Sequence, residues 1–139
     1  MAVAITRRET FSAGHTLFNP TWDAERNRAI FGKCSNPSGH GHNYVLEVTL
    51  RGEIDPDTGF IFDLSELAAL MRKLIIADVD HRNLNVDVDW LRGVIPTTEN
   101  LACAFWDRLE ANIAGGRLYS VRLGETEKNW AERRRDRDE

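Results

Sequence analysis

The sequence has few of the features that mark secreted, disulfide-rich or membrane proteins. Its 139 residues include only two cysteines, Cys34 and Cys103, whereas a small secreted fold usually carries more. No segment approaches the ~20 apolar residues of a membrane span, and the first ten residues lack the apolar run of a secretory signal. We therefore expect two free thiols, a cytoplasmic setting and no membrane partner.

The sequence also lacks an excess of basic residues, with 18 lysines and arginines against 22 aspartates and glutamates. The net charge is −4, and no stripe of lysine and arginine interleaves with aromatic residues, so nucleic acid is not an expected partner. Hydrophobic residues make up 42% of the chain, which is a globular composition. The length fits one domain, which we assign to residues 1–130. Charges of both signs crowd residues 131–139, which we predict to form a disordered tail.

Hydrophobic periodicity predicts the order of the elements. The predicted strands cover residues 5–15, 43–52 and 117–125, and the predicted helices begin near residues 23, 63 and 96. The segment 19–37 between the first two strands is a long excursion, which is often functional in a compact domain. Strands first, then two helices and a closing strand favour an α+β fold, with both helices on one face of an antiparallel sheet.

Three histidines lie where two predicted strands can bring them together. His40 and His42 directly precede the second predicted strand, and in extended backbone residues i and i+2 share a face, roughly 6–7 Å apart. His15 ends the first strand and can supply a third nitrogen. Histidines at this spacing are also common without a metal, but three with an open fourth position are typical of catalytic zinc. Glu47 could orient a ligand ring or simply face solvent.

Other residues suggest proton transfer. Cys34 lies six positions before the His-x-His pair among polar, loop-forming residues, and Lys33 and a nearby dication would favour its thiolate. Cys103 sits between two alanines in a predicted helix, where packing is the simpler explanation. Asp80 and His81 are adjacent and could form a relay in which the carboxylate fixes the imidazole tautomer, or could cap a loop.

Several segments together resemble the 6-pyruvoyl-tetrahydropterin synthase family. They are Phe11-Ser12-Ala13-Gly14-His15, Phe31 to Tyr44, Gly52 to Gly59, Asp80-His81-Arg82-Asn83-Leu84-Asn85, Pro96-Thr97-Thr98-Glu99-Asn100 and Glu125-Thr126. The resemblance runs from about Ile5 to Asn129 and implies the tunnelling fold, with a four-stranded antiparallel sheet and two helices on one face of it. It also implies that three subunits close their sheets into a barrel. Two trimers would then form a homohexamer with active sites between subunits.

The resemblance also implies roles for particular residues. It makes His15, His40 and His42 the ligands of Zn²⁺, Cys34 the thiolate base, Asp80 and His81 its relay partners, Glu125 the anchor of a pterin ring, and Thr97 and Thr98 further ring contacts. Arg8, Lys33 and Arg82 could receive a triphosphate or be ordinary solvated charges. Gly124 stands where we expect a larger side chain, and it would loosen the backbone beside Glu125.

The implied reaction is the zinc-dependent conversion of 7,8-dihydroneopterin triphosphate to 6-pyruvoyl-tetrahydropterin, with loss of triphosphate, as in tetrahydrobiopterin biosynthesis. The related 6-carboxytetrahydropterin synthase of queuosine biosynthesis uses the same substrate but releases acetaldehyde and triphosphate. The five residues between Cys34 and His40 resemble the pyruvoyl-forming branch, although some relatives with this spacing make the carboxy product. A further branch uses glutamate instead of cysteine, against which Cys34 argues. A non-catalytic metal-binding module would leave Cys34, the Asp80–His81 pair and Glu125 without a common purpose.

Overall fold

A five-stranded sheet organises the computed structural model, which describes residues 1–136. The strands are β1 (Val3–His15), β2 (His40–Gly52), β3 (Arg82–Asn83), β4 (Leu118–Gly124) and β5 (Trp130–Arg134), in the spatial order β3-β1-β2-β4-β5. All neighbours pair antiparallel except β3, which runs parallel to β1 at Ala13 and Gly14. The four-stranded antiparallel sheet that the resemblance implied therefore differs from the structure, which has a fifth strand, and its two-residue β3 runs parallel to β1.

The helices are α1 (Ala24–Phe31), α2 (Leu64–Met71), α3 (Ala77–Val79) and α4 (Thr98–Glu110), and a wider turn over Arg72–Ile76 joins α2 to α3. Residues of α2, α3 and α4 pack into the hydrophobic core against the sheet. Asp23, Asp63 and Thr97 accept backbone hydrogen bonds at the starts of α1, α2 and α4. Each cap satisfies an N–H group that the helix itself cannot bond.

Alternation along β2 separates a core face from an outer face. Tyr44, Leu46, Val48 and Leu50 are completely buried, whereas the residues between them are partly exposed. Leu67 of α2 and Phe105 of α4 belong to the same hydrophobic core. Burying a large apolar side chain contributes about 1.5–3 kcal/mol, so this face fixes the strand register that positions the site. Among residues 1–136, none of the helices combines the length and apolar character that crossing a bilayer requires.

The end of the described chain differs from the prediction of a disordered tail. Residues 130–134 form β5, which pairs with β4 from Gly124–Trp130 to Ser120–Arg134. The charges that suggested disorder have partners, since Arg135 donates to the Leu118 carbonyl and to Glu110. Charged residues are also common on edge strands, so composition alone does not exclude pairing. Residues 137–139 of the predicted tail lie outside the described residues.

Candidate active site

The register of β1 and β2 brings the three histidines together. His15 lies directly opposite His40, and Ala13 lies opposite His42. The ring centroids are 4.7 Å apart for His15 and His40, 5.1 Å for His15 and His42, and 4.9 Å for His40 and His42. The three side chains thus form a triangle on the core face, one step beyond the buried Tyr44.

One hydrogen bond fixes the tautomer of His15. Its side chain is nearly buried, and its Nδ1 lies 2.8 Å from the carbonyl oxygen of Pro96, which can only accept. The Nε2 atom of a neutral His15 is therefore unprotonated, and it lies 3.1 Å from Nε2 of His40. Burial lowers the pKa of His15, and this outweighs the opposite effect of the Pro96 hydrogen bond. The neutral form is the one that binds metal ions.

His42 supplies the observation that best fits a bound cation. Its Nε2 atom is buried and makes no hydrogen bond, although Glu125 Oε1 lies 3.3 Å away. A buried polar atom without a partner costs about 1–3 kcal/mol. Burial lowers the pKa of His42 despite the nearby Glu125 carboxylate, so this ring is also held neutral.

The three histidines meet the geometric requirement for a shared metal ion. One ligand atom from each of His15, His40 and His42 lies within 4.8 Å of the others, and this is the one such group found in the described residues 1–136. Three imidazole nitrogens, one of them without a partner, fit a metal ion with an open coordination position.

Glu125 brings a fixed carboxylate to this cluster. It follows the last residue of β4, and its Oε2 accepts a 2.7 Å hydrogen bond from the Thr98 hydroxyl at the start of α4. Glu125, Thr97 and Thr98 line a cavity of about 760 Å³, while Glu125 Oε1 faces His42. A carboxylate held in this way can accept two hydrogen bonds from a planar donor pair. The structure therefore joins the predicted anchor residues to the predicted metal ligands.

Asp80 and His81 form a pair on the other side of β1. Asp80 Oδ1 accepts a 2.9 Å hydrogen bond from the Ser12 N–H and lies 3.0 Å from His81 Nδ1. These two contacts hold the pKa of Asp80 below its usual range, with the Ser12 bond as the larger cause. His81 has a φ of 60°, unusual for a residue other than glycine, and its side chain is 82% exposed. The imidazole of His81 is thus held through Nδ1, while most of the ring is exposed to solvent.

Cys34 occupies a third position. It is half-buried in a single turn over Gly32–Ser35, and its carbonyl oxygen accepts a 2.8 Å hydrogen bond from the Leu17 N–H. Within residues 1–136, the group of possible metal ligands does not include its thiol, and nothing links Cys34 to Asp80 or His81 in the same chain. The predicted base and its predicted relay are thus held by different segments.

Two predicted alternatives for charged residues are resolved. Glu47 accepts hydrogen bonds from Arg8 at 2.7 Å and from Arg122 at 3.1 Å, so it does not orient an imidazole. Arg8 is correspondingly engaged on the outer face of the sheet. Arg82 lines a shallow cavity of about 370 Å³ together with His81, and Lys33 lines a separate one.

Sequence reasoning missed two groups that support the cluster. One is the Pro96 carbonyl, which carries no sequence signal at all. The other is Asn85, whose Oδ1 accepts from the Thr16 N–H and whose Nδ2 donates to the Thr16 carbonyl, both at 2.8 Å. These two hydrogen bonds hold Thr16, the residue next to His15, in place. Asn85 and Thr16 are 69 residues apart in the chain, so no local pattern marks this contact.

The fold and the site together define a class of protein. It comprises α+β domains in which an antiparallel sheet carries a three-histidine cluster able to hold a metal, beside a carboxylate tied to the start of a helix.

Comparisons with known proteins identify the family within this class. A sequence profile of the 6-pyruvoyl tetrahydropterin synthase family matches residues 4–136. The 6-pyruvoyl tetrahydrobiopterin synthase of Pongo abelii is 46% identical over 125 residues, which cover 90% of this chain and 86% of that protein; the Homo sapiens protein of the same name is 45% identical over the same shares. The solved structure of Caenorhabditis elegans 6-pyruvoyl tetrahydropterin synthase superposes with a TM-score of 0.91 at 39% identity, covering 98% of this chain and 97% of that one. The chain belongs to the 6-pyruvoyl tetrahydropterin synthase family and is an enzyme of the lyase type.

Proposed function

We propose that the chain converts 7,8-dihydroneopterin triphosphate to 6-pyruvoyl-tetrahydropterin with elimination of triphosphate. The observation that carries this proposal is the placement of Glu125 between Thr98 and the imidazole of His42. A carboxylate beside a metal-binding cluster can hold one molecule at two points, the donors of a pterin ring and the hydroxyls of its side chain. Six relatives that are 41–46% identical to this chain are named for this activity, which supports the proposal.

The ring and the metal are assigned to separate residues. Glu125 accepts hydrogen bonds from the 2-amino and N3 groups of the pterin, and the α4 start at Thr97 and Thr98 holds the ring edge. His15, His40 and His42 bind zinc. Zinc bound there supplies Lewis-acid stabilisation of developing enolate charge.

Proton transfer is assigned to the remaining three residues. The Cys34 thiolate removes a proton from the substrate side chain. Asp80 stays ionised at neutral pH because its pKa is lowered, and its contact with His81 Nδ1 leaves the exposed Nε2 to deliver or accept a proton. Triphosphate leaves as an intact group, and Lys33 and Arg82 are the basic residues assigned to it.

The proposed assembly is a barrel of three sheets, with two such trimers stacked as a hexamer. Along β1, pairing with β3 reaches only Ala13 and Gly14, so in the described chain most of this edge is open. On the opposite side, β5 pairs with β4 alone. Closing these two edges against neighbouring subunits would remove both from solvent. Cys34 of one subunit could then meet the Asp80–His81 pair of another.

A product analysis tests the proposed function. The purified protein is loaded with zinc and incubated with 7,8-dihydroneopterin triphosphate, and the pterin product is identified by mass. The expected result is the mass of 6-pyruvoyl-tetrahydropterin together with free triphosphate. The carboxy pterin with acetaldehyde would instead assign the chain to the 6-carboxytetrahydropterin branch, and an unchanged substrate would contradict both reactions.

A further inference from the structure

We propose that Gly124 and Trp130 form an interlocked pair that positions the Glu125 carboxylate, which makes Trp130 a positioning residue for recognition of the pterin ring. This inference rests on the proposed function, because it assumes that Glu125 binds that ring. It also gives Gly124 a different role from the one predicted from the sequence, in which a glycine would loosen the backbone beside Glu125.

Space, rather than backbone freedom, excludes a side chain at residue 124. Gly124 and Trp130 lie directly opposite each other in the β4–β5 pair. A Cβ atom added to Gly124 would lie 2.8 Å from each of three carbons of the Trp130 ring, closer than such atoms normally approach. The φ angle of Gly124 is outside the left-handed region, so its backbone would accept any residue. The indole therefore occupies the volume that a side chain at 124 would fill.

The indole is itself held at two points. Its Nε1–H donates to the Glu127 carbonyl oxygen at 3.1 Å. The guanidinium carbon of Arg122 lies 4.1 Å from the centre of its ring, a distance typical of a cation–π contact. Arg122 is tied in turn to Glu47 at 3.1 Å, so the contact continues to the centre of the sheet.

Glu125 lies in the chain between the two members of the pair. Its N–H donates to the Asn129 carbonyl at 3.0 Å, and the Thr126 hydroxyl oxygen accepts from two backbone N–H groups of the same turn. Gly124 precedes Glu125, and Trp130 ends the turn. A displaced indole would therefore shift the turn and carry the carboxylate away from Thr98.

The metal cluster is attached elsewhere, which separates the two effects. His40 and His42 belong to β2, and His15 is held by the Pro96 carbonyl. A change at Gly124 or Trp130 should weaken binding of a pterin while leaving zinc content unchanged. A residue with a purely structural role would instead lower thermal stability without changing pterin affinity.

The test is a double-mutant cycle with neopterin as the probe. Equilibrium dialysis measures the Kd of neopterin for the zinc-loaded wild type, Gly124→Ala, Trp130→Ala and the double variant. Gly124→Ala should raise Kd about tenfold in the wild-type background, because misplacing a binding group by a fraction of an ångström is costly. With Trp130→Ala the clash is gone, and adding Gly124→Ala should change Kd by less than about twofold.

Trp90 provides a matched control, and Trp130→Phe is a milder variant should Trp130→Ala not fold. The Trp90 indole also donates a hydrogen bond, to Asp78 at 2.9 Å, and it also has an arginine over its ring, Arg108 at 4.4 Å. Trp90→Phe should lower thermal stability and leave the neopterin Kd unchanged, whereas Trp130→Phe should raise Kd severalfold.

Three results would overturn the positioning role. They are equal effects of Gly124→Ala in both backgrounds, equal Kd changes for Trp90→Phe and Trp130→Phe, and absence of neopterin binding by the wild type. Turnover is measured separately. If the wild type binds neopterin but does not convert 7,8-dihydroneopterin triphosphate, the proposed reaction fails and the cycle still decides whether the pair positions Glu125.

Discussion

The bond between His15 and Pro96 prepares the cluster for a cation before any cation binds. A carbonyl oxygen accepts only, so the proton of neutral His15 stays on Nδ1 and its Nε2 lone pair points towards His40. The phenol of Tyr44 lies 3.4 Å from the same Nδ1, and burial raises its pKa well above the ordinary value, so it remains protonated. These two neighbours add no charge beside His15, so its Nε2 lone pair is available to a cation.

Removing one ligand should separate metal binding from proton transfer. We expect His42→Ala to lose zinc almost completely. The metal-free protein should change in stability by less than about 1 kcal/mol, because His42 Nε2 makes no hydrogen bond there. Cys34→Ala is the matched variant, since its thiol lies outside the ligand group. It should keep its zinc and lose activity by at least ~100-fold.

Metal analysis and steady-state kinetics on the same preparations check this pair of variants. Zinc retained by His42→Ala would contradict the assigned ligand set. Turnover unchanged in Cys34→Ala would remove the thiol from the reaction.

At the scale of elements, the outer face of the sheet is joined across strands by charge. Glu47 on β2 accepts hydrogen bonds from Arg8 on β1 and from Arg122 on β4. Its partial burial raises the carboxyl pKa, but the two arginines lower it by more, so the net pKa is below the ordinary 4.5. The ionised form is therefore bound more tightly in the folded state than in the unfolded chain. Its contribution is complete above pH 4.5 and is lost as the pH falls through the lower folded value.

Glu47→Gln should remove this acid-dependent contribution. At pH 7 we expect Tm to fall by about 3–5 °C, which corresponds to roughly 1 kcal/mol. The difference from the wild type should narrow as the pH falls below 4.5 through the lowered folded pKa, since the wild-type carboxylate then becomes protonated. Thermal unfolding at several pH values measures this. The control is Glu53→Gln, an exposed carboxylate that pairs with the N-terminal amine, and its Tm should change by less than about 1 °C. A difference that does not narrow at any acid pH at which the protein remains folded would contradict the assignment.

Two adjacent arginines test whether β5 is part of the folded domain. Arg135 donates to the Leu118 carbonyl and to Glu110, whereas Arg134 lies 3.8 Å from Glu132 on the surface. Arg135→Ala should lower the free energy of unfolding by about 1–2 kcal/mol, and Arg134→Ala by less than about 0.5 kcal/mol. Urea unfolding measures both. Equal small losses would support the disordered tail that composition suggested.

At the scale of the whole molecule, the sequence predicts the elements whose apolar residues recur at a regular spacing. It does not predict contacts between residues that are distant in the chain. The alternation in β2 and the apolar spacing in α4 predict those elements, because burial of one face imposes the period. The histidine cluster is predictable because i, i+2 spacing and strand pairing both constrain it. No local pattern marks three other features, because each depends on one or two residue pairs that are distant in the sequence or lie across a turn. These features are the pairing of β3 with β1, the hydrogen bonds of Asn85 and the Gly124–Trp130 contact.

The separate positions of Cys34 and the Asp80–His81 pair lead to a prediction about the assembly. If each site takes its thiol from one subunit and its relay from another, two inactive variants should complement each other. Cys34→Ala and His81→Ala are co-expressed with different tags, and mixed oligomers are purified through both tags. With random mixing, about a quarter of the sites should be intact, so activity should recover to about a quarter of the wild type.

A site contained within one chain would behave differently, because every chain of the mixture carries one of the two substitutions and no site could be complete. The control replaces His81→Ala with the double variant Cys34→Ala/His81→Ala, so that no chain supplies the thiol and activity should stay at the level of the single variants. Native mass spectrometry of the same samples should give a particle of about six times the 15.8 kDa chain. Recovery of activity in the mixture but not in the control requires that each active site combines catalytic groups from two subunits. A hexamer whose activity does not recover would place the whole site in one chain.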